Sequence, residues 1–126
     1  MTDTKNFKRN KQLMEELIRY LCKNDLFHDV NIYTNGHKYS SDKGPSSEEC
    51  STYGHIYYDH GDWDVESQIE YNNPETITMT FEGPLYYAYN GYTDDGYRTE
   101  DDIQNIMAKY GLYAEQGYAW SLAAYE

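Results

Sequence analysis

Gly61-Asp-Trp-Asp-Val-Glu-Ser-Gln-Ile-Glu-Tyr71 alternates two sets of side chains with a period of two. Trp63, Val65, Ile69 and Tyr71 are apolar, with Ser67 among them, while Asp62, Asp64, Glu66, Gln68 and Glu70 are polar or acidic. That pattern belongs to a half-buried β-strand, one face on a core and the other in water. At a rise of about 3.3 Å per residue, carboxylates two positions apart would stand about 6.6 Å from one another. Such a row resembles, in spacing and sign, the phosphates of one nucleic-acid strand.

Working outward from it, residues 52–58 read as a preceding strand, with Asp59-His60-Gly61 as the turn between. Downstream, Asn72-Asn73-Pro74 turns the chain into 75–82, where Ile77, Met79 and Phe81 alternate with Thr76, Thr78, Thr80 and Glu82. The first set is expected inward and the second outward. Asp29–Thr34 and His37–Ser40 flank Asn35-Gly36, the strongest short hairpin signal, because both central residues of a type I′ turn need positive φ. Ser41 to Glu49 has the composition of a loop.

Helical periodicity appears twice. Over 5–23, Leu13, Met14, Leu17, Ile18 and Leu21 form one stripe, with Asp3 or Thr4 as the cap and Asn24 as the left-handed stop. Lys5, Lys8, Arg9 and Lys11 crowd its first turns, where the helix dipole disfavours cations. Over 99–110, Ile103, Ile106, Met107 and Tyr110 recur behind a capping-box-like Thr99-Glu-Asp-Asp102, and Gly111 stops the helix. Between the two, Gly83-Pro84 opens a short helix ending at Asn90-Gly91, and Tyr92 to Arg98 form an exposed loop. Residues 118–125 read as a last strand with Trp120 and Leu122 inward, a helix being nearly as compatible with the Ala-rich part. The expectation is one α+β domain over 1–126, with an N-terminal helix and a C-terminal-half helix packed on an antiparallel sheet of about five to six strands.

Charge separates along the chain. The total is -12, but residues 1–43 carry eight Lys/Arg against six acids, while 44–126 carry only Arg98 and Lys109 against sixteen. Such a field repels nucleic acid and anionic membranes and attracts basic surfaces. Thirteen of the sixteen tyrosines also follow residue 44, among the acids. Phenols and carboxylates together suit the Arg and Lys of a nucleic-acid-binding protein, through bidentate pairs and cation-π contact. Asp62, Asp64, Glu66 and Glu70 form the first candidate surface; Asp94, Asp95, Glu100, Asp101 and Asp102 form the second, with Tyr92 and Tyr97 beside it.

Catalytic patterns are weak. His55, Asp59, His60, Asp62 and Asp64 place potential Zn²⁺ or Mn²⁺ ligands within ten residues, but their spacing fits no structural zinc site or EF-hand. No phosphate loop or nucleophile elbow is present, so the expectation is no catalysis, no metal and no cofactor. A small metal-dependent enzyme using His55, Asp59 and His60 is the lesser alternative. Cys22 and Cys50 lack a paired spacing and read as reduced thiols in a cytoplasmic setting, a single disulfide being the alternative. The N-terminus has no apolar run after its basic residues.

In size, acidity and tyrosine content the chain resembles the small inhibitors that phages and mobile elements use against host nucleases, the anti-restriction and anti-CRISPR proteins, several of which mimic DNA. The resemblance is one of composition and carries over no site residues. It implies an inhibitor acting in the bacterial host cytoplasm, which binds the DNA-binding or PAM-reading groove of a basic protein rather than nucleic acid or membrane. An ordinary regulatory protein-interaction module is the other reading.

Overall fold

The computed structural model describes residues 4–41 and 57–126. Among these, helices α1 (Thr4–Lys23), α2 (Val65–Gln68), α3 (Pro84–Tyr89) and α4 (Arg98–Ala108) accompany six strands. The strands are β1 (Val30–Thr34), β2 (His37–Ser40), β3 (Tyr58–Asp62), β4 (Ile77–Phe81), β5 (Tyr113–Gln116) and β6 (Ser121–Tyr125). They form one antiparallel sheet in the order β3-β2-β1-β4-β6-β5. The α+β expectation holds.

Local chemistry explains the hairpin. Asn35 and Gly36 both have positive φ, 54° and 76°, so the turn is the tight one that matches strand twist. At the end of α1, Asp25 rather than Asn24 takes the left-handed conformation, at φ 57°. Helices α1, α3 and α4 cover one face of the sheet. Leu13, Leu17 and Leu21 of α1 and Ile103 and Met107 of α4 pack with Ile32, Ile77, Met79, Phe81 and Leu122, all buried. Two polar ties hold α1 against α4: Glu16 accepts from Lys109 (2.6 Å) and Tyr110 (2.8 Å), and Asp102 accepts from Tyr20 at 2.8 Å.

The opposite face departs from the sequence reading. Residues 61–71 do not form one strand: β3 ends at Asp62, and the chain then turns through α2. Asp64 caps that helical turn, its carboxylate accepting from the Glu66 N–H at 3.2 Å, while the Ser67 hydroxyl donates to the Asp64 carbonyl. Asp and Ser that bond their own neighbouring backbone offer the chain an alternative to the ladder, and here the alternative prevails. The segment 63–76 is instead a crossover from the β3 edge back to β4.

The crossover also covers the threonines expected to face water. The Asn73 N–H donates to Thr78 Oγ1 at 3.1 Å, and both Asn73 Nδ2 and Thr76 Oγ1 donate to the Ala124 carbonyl. Thr76, Thr78 and Thr80 are consequently buried, and β4 is buried on both faces. The tail differs as well. It is a β5–β6 hairpin rather than one strand over 118–125, and Trp120 lies partly exposed in its turn while Leu122 is buried. The capping box shifts too: α4 starts at Arg98, and Thr99 is buried inside it.

Cys22 is buried and disulfide-bonded, which corrects the reading of reduced thiols. A disulfide requires proximity in space, which spacing along the chain does not report. Cys50, His55 and most of the strand expected over 52–58 lie outside the described residues. Among the described residues, no helix is long and apolar enough to cross a membrane.

The outer edge of β5 is blocked by a side chain. Gln104 of α4 donates from Nε2 to the Ala114 carbonyl and accepts from the Ala114 N–H through Oε1, both at 2.8 Å. Its amide thus takes the place of a further strand on an edge open to intermolecular pairing. Ala114 is buried, so Gln104→Ala strands a donor and an acceptor together. The expected loss is about 1–3 kcal/mol, read from urea midpoints, with faster aggregation. An unchanged midpoint would show the edge to be satisfied by other means.

Several phenols are tuned by packing. Burial raises Tyr20, Tyr39 and Tyr110 to about 12, helped by the Asp102 bond, the Asp59 charge and the Glu16 bond respectively. The unfolded chain ionises these phenols near 10, so their contribution is complete below that pH and is lost as pH rises through about 12. Urea midpoints are therefore expected to fall steeply between about pH 10 and 12. A flat profile over that window would contradict the packing of these rings.

Candidate functional site

The first group of acids surrounds the crossover. Asp62 ends β3 with its carboxylate fully in solvent, 3.6 Å from His37 Nε2. Asp64 and Glu66 lie at the start of α2, both exposed. Glu70 follows α2 and accepts from the Tyr118 hydroxyl. These carboxylates are exposed but do not form the straight row of a single strand; a cap, a helical turn and a bend separate them. The evenly spaced ladder of charges is corrected accordingly.

The second group lies between α3 and α4. Asp94 and Asp95 occupy an exposed turn, and Glu100 and Asp101 fill the first turn of α4, where the helix dipole favours anions. Among the described residues, none of these four is within ion-pair distance of a cation. Asp102 is turned toward α1, bonded to Tyr20 and 3.9 Å from Arg98, which removes it from the free surface. Tyr92 and Tyr97, 70% and 61% exposed, flank the turn. Tyr97 lies against Gly91, where an added Cβ would approach its ring to 2.8 Å and where φ is 77°. A side chain there would displace the ring and strain the turn together.

Two features escape a reading by residue type. Tyr71, Tyr118 and Trp120 form one exposed aromatic cluster, with Tyr118 and Trp120 stacked at 4.9 Å and Tyr71 edge-on to Tyr118 at 5.2 Å. It brings Tyr71, on the crossover, against residues 47 and 49 positions further along the chain, so no local spacing announces it. On β2 and β3, His37 bonds Asp59 at 3.1 Å and Ser40 bonds His60 at 2.7 Å. The Asp59 carboxyl is held below its usual range, chiefly by the Gly61 N–H and then by His37.

Ser40 and His60 are within the reach of a nucleophile and a base, but Asp59 is aimed at His37 and Gly61, and among the described residues no carboxylate is bonded to His60. Of the metal-ligand candidates, His55 is outside the described residues, His60 is bonded to Ser40, and Asp59 and Asp62 are both drawn to His37, one at each ring nitrogen. Among the described residues no three such side chains converge. What this surface can do chemically is bind cations through carboxylates and ring faces.

Comparison with protein-family models, curated proteins and solved structures finds no match. The functional reading therefore rests on the surface itself.

Proposed function

We propose that the protein is a non-enzymatic acidic binding protein that inhibits by imitating nucleic acid, occupying the nucleic-acid-binding groove of a basic host defence nuclease of the CRISPR or restriction kind. The observation that carries this reading is the set of carboxylates without a cation partner among the described residues, exposed Glu66, Asp94, Asp95 and Asp101 with half-buried Glu100, beside exposed Tyr92 and Tyr97. A total charge of -12 on 126 residues exceeds what solubility requires and steers the molecule toward positive surfaces. Loss of the straight ladder removes a strict phosphate spacing and leaves a charged, phenol-rich surface on a packed scaffold.

The test is a binding panel of purified guide-loaded CRISPR effectors and restriction enzymes, with salt titration and duplex DNA as competitor. Mimicry gives tight binding that falls steeply with salt and is displaced by DNA. Binding that is insensitive to DNA and salt instead marks an ordinary protein-interaction module, a reading favoured by the Tyr71, Tyr118 and Trp120 cluster. The Cys22 disulfide weighs against action in the cytoplasm, where thiols are kept reduced. Thiol counting on protein trapped with alkylating reagent in bacterial cells bears directly on that location.

A further inference from the structure

We propose that the cleft between the start of α1, the β1–β2 turn and the 63–76 crossover is a receptor for a single arginine side chain, presented by a basic protein segment. This deepens the acidic-binding reading and rests on it. The cleft has a volume of about 490 Å³, ample for a guanidinium and the backbone that carries it. Its walls include three aromatic rings, Phe7, Tyr33 and Trp63, and three carboxylates, Asp64, Glu66 and Glu75. Among the described residues, no Lys or Arg lines it.

The charge is complementary and the nearby cations are occupied. Arg9 is engaged with Asn10, the Glu75 carbonyl and the Glu126 carboxylate. Lys38 sits over the Trp63 ring, 4.4 Å from its centroid, so this ring already holds one cation of the protein's own. The indole N–H of Trp63 is buried and has no acceptor among the described residues.

The walls are fixed before any ligand arrives. Buried Asn10 donates to Asn35 at 3.2 Å and to the Glu75 carbonyl at 3.0 Å, tying helix, turn and crossover together. Preorganisation of this kind lowers the ordering cost of binding. A planar guanidinium can stack on a ring while forking to carboxylates, which an ammonium cannot, so arginine rather than lysine is the expected occupant.

The experiment uses the full chain carrying Trp120→Phe, which leaves Trp63 as the sole indole. Acetylated and amidated Gly-Gly-Arg-Gly-Gly is titrated while the Trp63 indole N–H resonance is followed, with Lys and Glu versions in parallel. The Arg peptide is expected to shift that resonance saturably, the Lys peptide more weakly and the Glu peptide not at all. Glu66→Gln with Glu75→Gln, both exposed, should weaken the Arg peptide about tenfold with the fold unchanged by circular dichroism. Glu82→Gln with Glu115→Gln removes the same charge outside the cleft lining and should leave it unchanged.

No saturable shift, or equal weakening by the two double variants, overturns the proposal, the latter because net charge alone would then explain binding. The two readings fail separately. Selective Arg-peptide binding without a DNA-competed nuclease sinks mimicry and keeps the cleft. DNA-competed nuclease binding, with Arg-peptide binding indifferent to Glu66→Gln and Glu75→Gln, sinks the cleft and keeps mimicry.

Discussion

The variant D94N/D95N/E100Q/D101N should fold as the parent does and bind a basic nuclease target about 100-fold more weakly. These four side chains lie in an exposed turn and in the first turn of α4, with no ion pair among the described residues. Their removal therefore breaks no salt bridge among the described residues. The cost to α4 is the lost dipole interaction of Glu100 and Asp101, about 0.3–1 kcal/mol each, offset by relief of repulsion in a chain of net charge -12. At an interface, charge pairs contribute unequally, and four of them at about 0.5–1 kcal/mol each multiply to about 100-fold. The variant should also show a shallower dependence of affinity on salt, since fewer fixed charges imitate phosphates. Measurement is by melting temperature and by binding isotherms at several salt concentrations against the nuclease in the panel that binds the parent. Unchanged affinity would move the contact surface away from the turn between α3 and α4.

Phe81→Ala is expected to remove most of the stability of the chain. Phe81 is fully buried on β4, between β1 and β6, and its ring packs 5.7 Å from that of Tyr89. It joins the sheet core to α3, so truncation leaves a cavity that two different elements would have to close. Large-to-small changes of this kind cost about 3–5 kcal/mol. Small domains have about 5–15 kcal/mol in all, so the variant is expected near the edge of folding, and target binding should fall with the folded fraction. A urea titration reads this directly. A loss under about 1 kcal/mol would mean that Phe81 does not sit at the centre of the core.

What the sequence displayed and what it concealed follow from the range of the forces involved. Asn35-Gly36 determines its turn locally, so the β1–β2 hairpin was legible without knowledge of the rest of the chain. The stripes of α1 and α4 were legible because period 3.6 reports which face is apolar, and the short helix after Gly83 because Pro84 preorganises its first turn. In 61–71 two local signals conflict: the alternation of Trp63, Val65, Ile69 and Tyr71 favours a strand, while Asp64 and Ser67 offer backbone caps. Only the demand for cover over Thr78 and Thr80 decides between them, and that demand is tertiary.

The tail misled for a related reason. Tyr113–Gln116 is a polar edge strand whose outer hydrogen bonds go to Gln104, a partner ten residues before Ala114 that no alternation could indicate. For the candidate surface, composition revealed that acids and phenols abound, but not their arrangement. Asp102 and Glu70 are bonded to Tyr20 and Tyr118, whereas Asp94, Asp95, Glu100 and Asp101 have no cation partner among the described residues. The cleft walled by Phe7, Tyr33 and Trp63 assembles three distant segments and leaves no trace in local spacing.

The most direct measurement of polyanion imitation is competition on one surface: each nuclease of the panel, immobilised, is offered the protein with increasing duplex DNA at fixed ionic strength, and the experiment is repeated at rising salt. Imitation predicts mutually exclusive binding, with the apparent affinity of the protein falling in proportion to DNA occupancy and linearly on a log–log salt plot. Simultaneous binding of protein and DNA to the same nuclease, with affinity indifferent to salt, would contradict it.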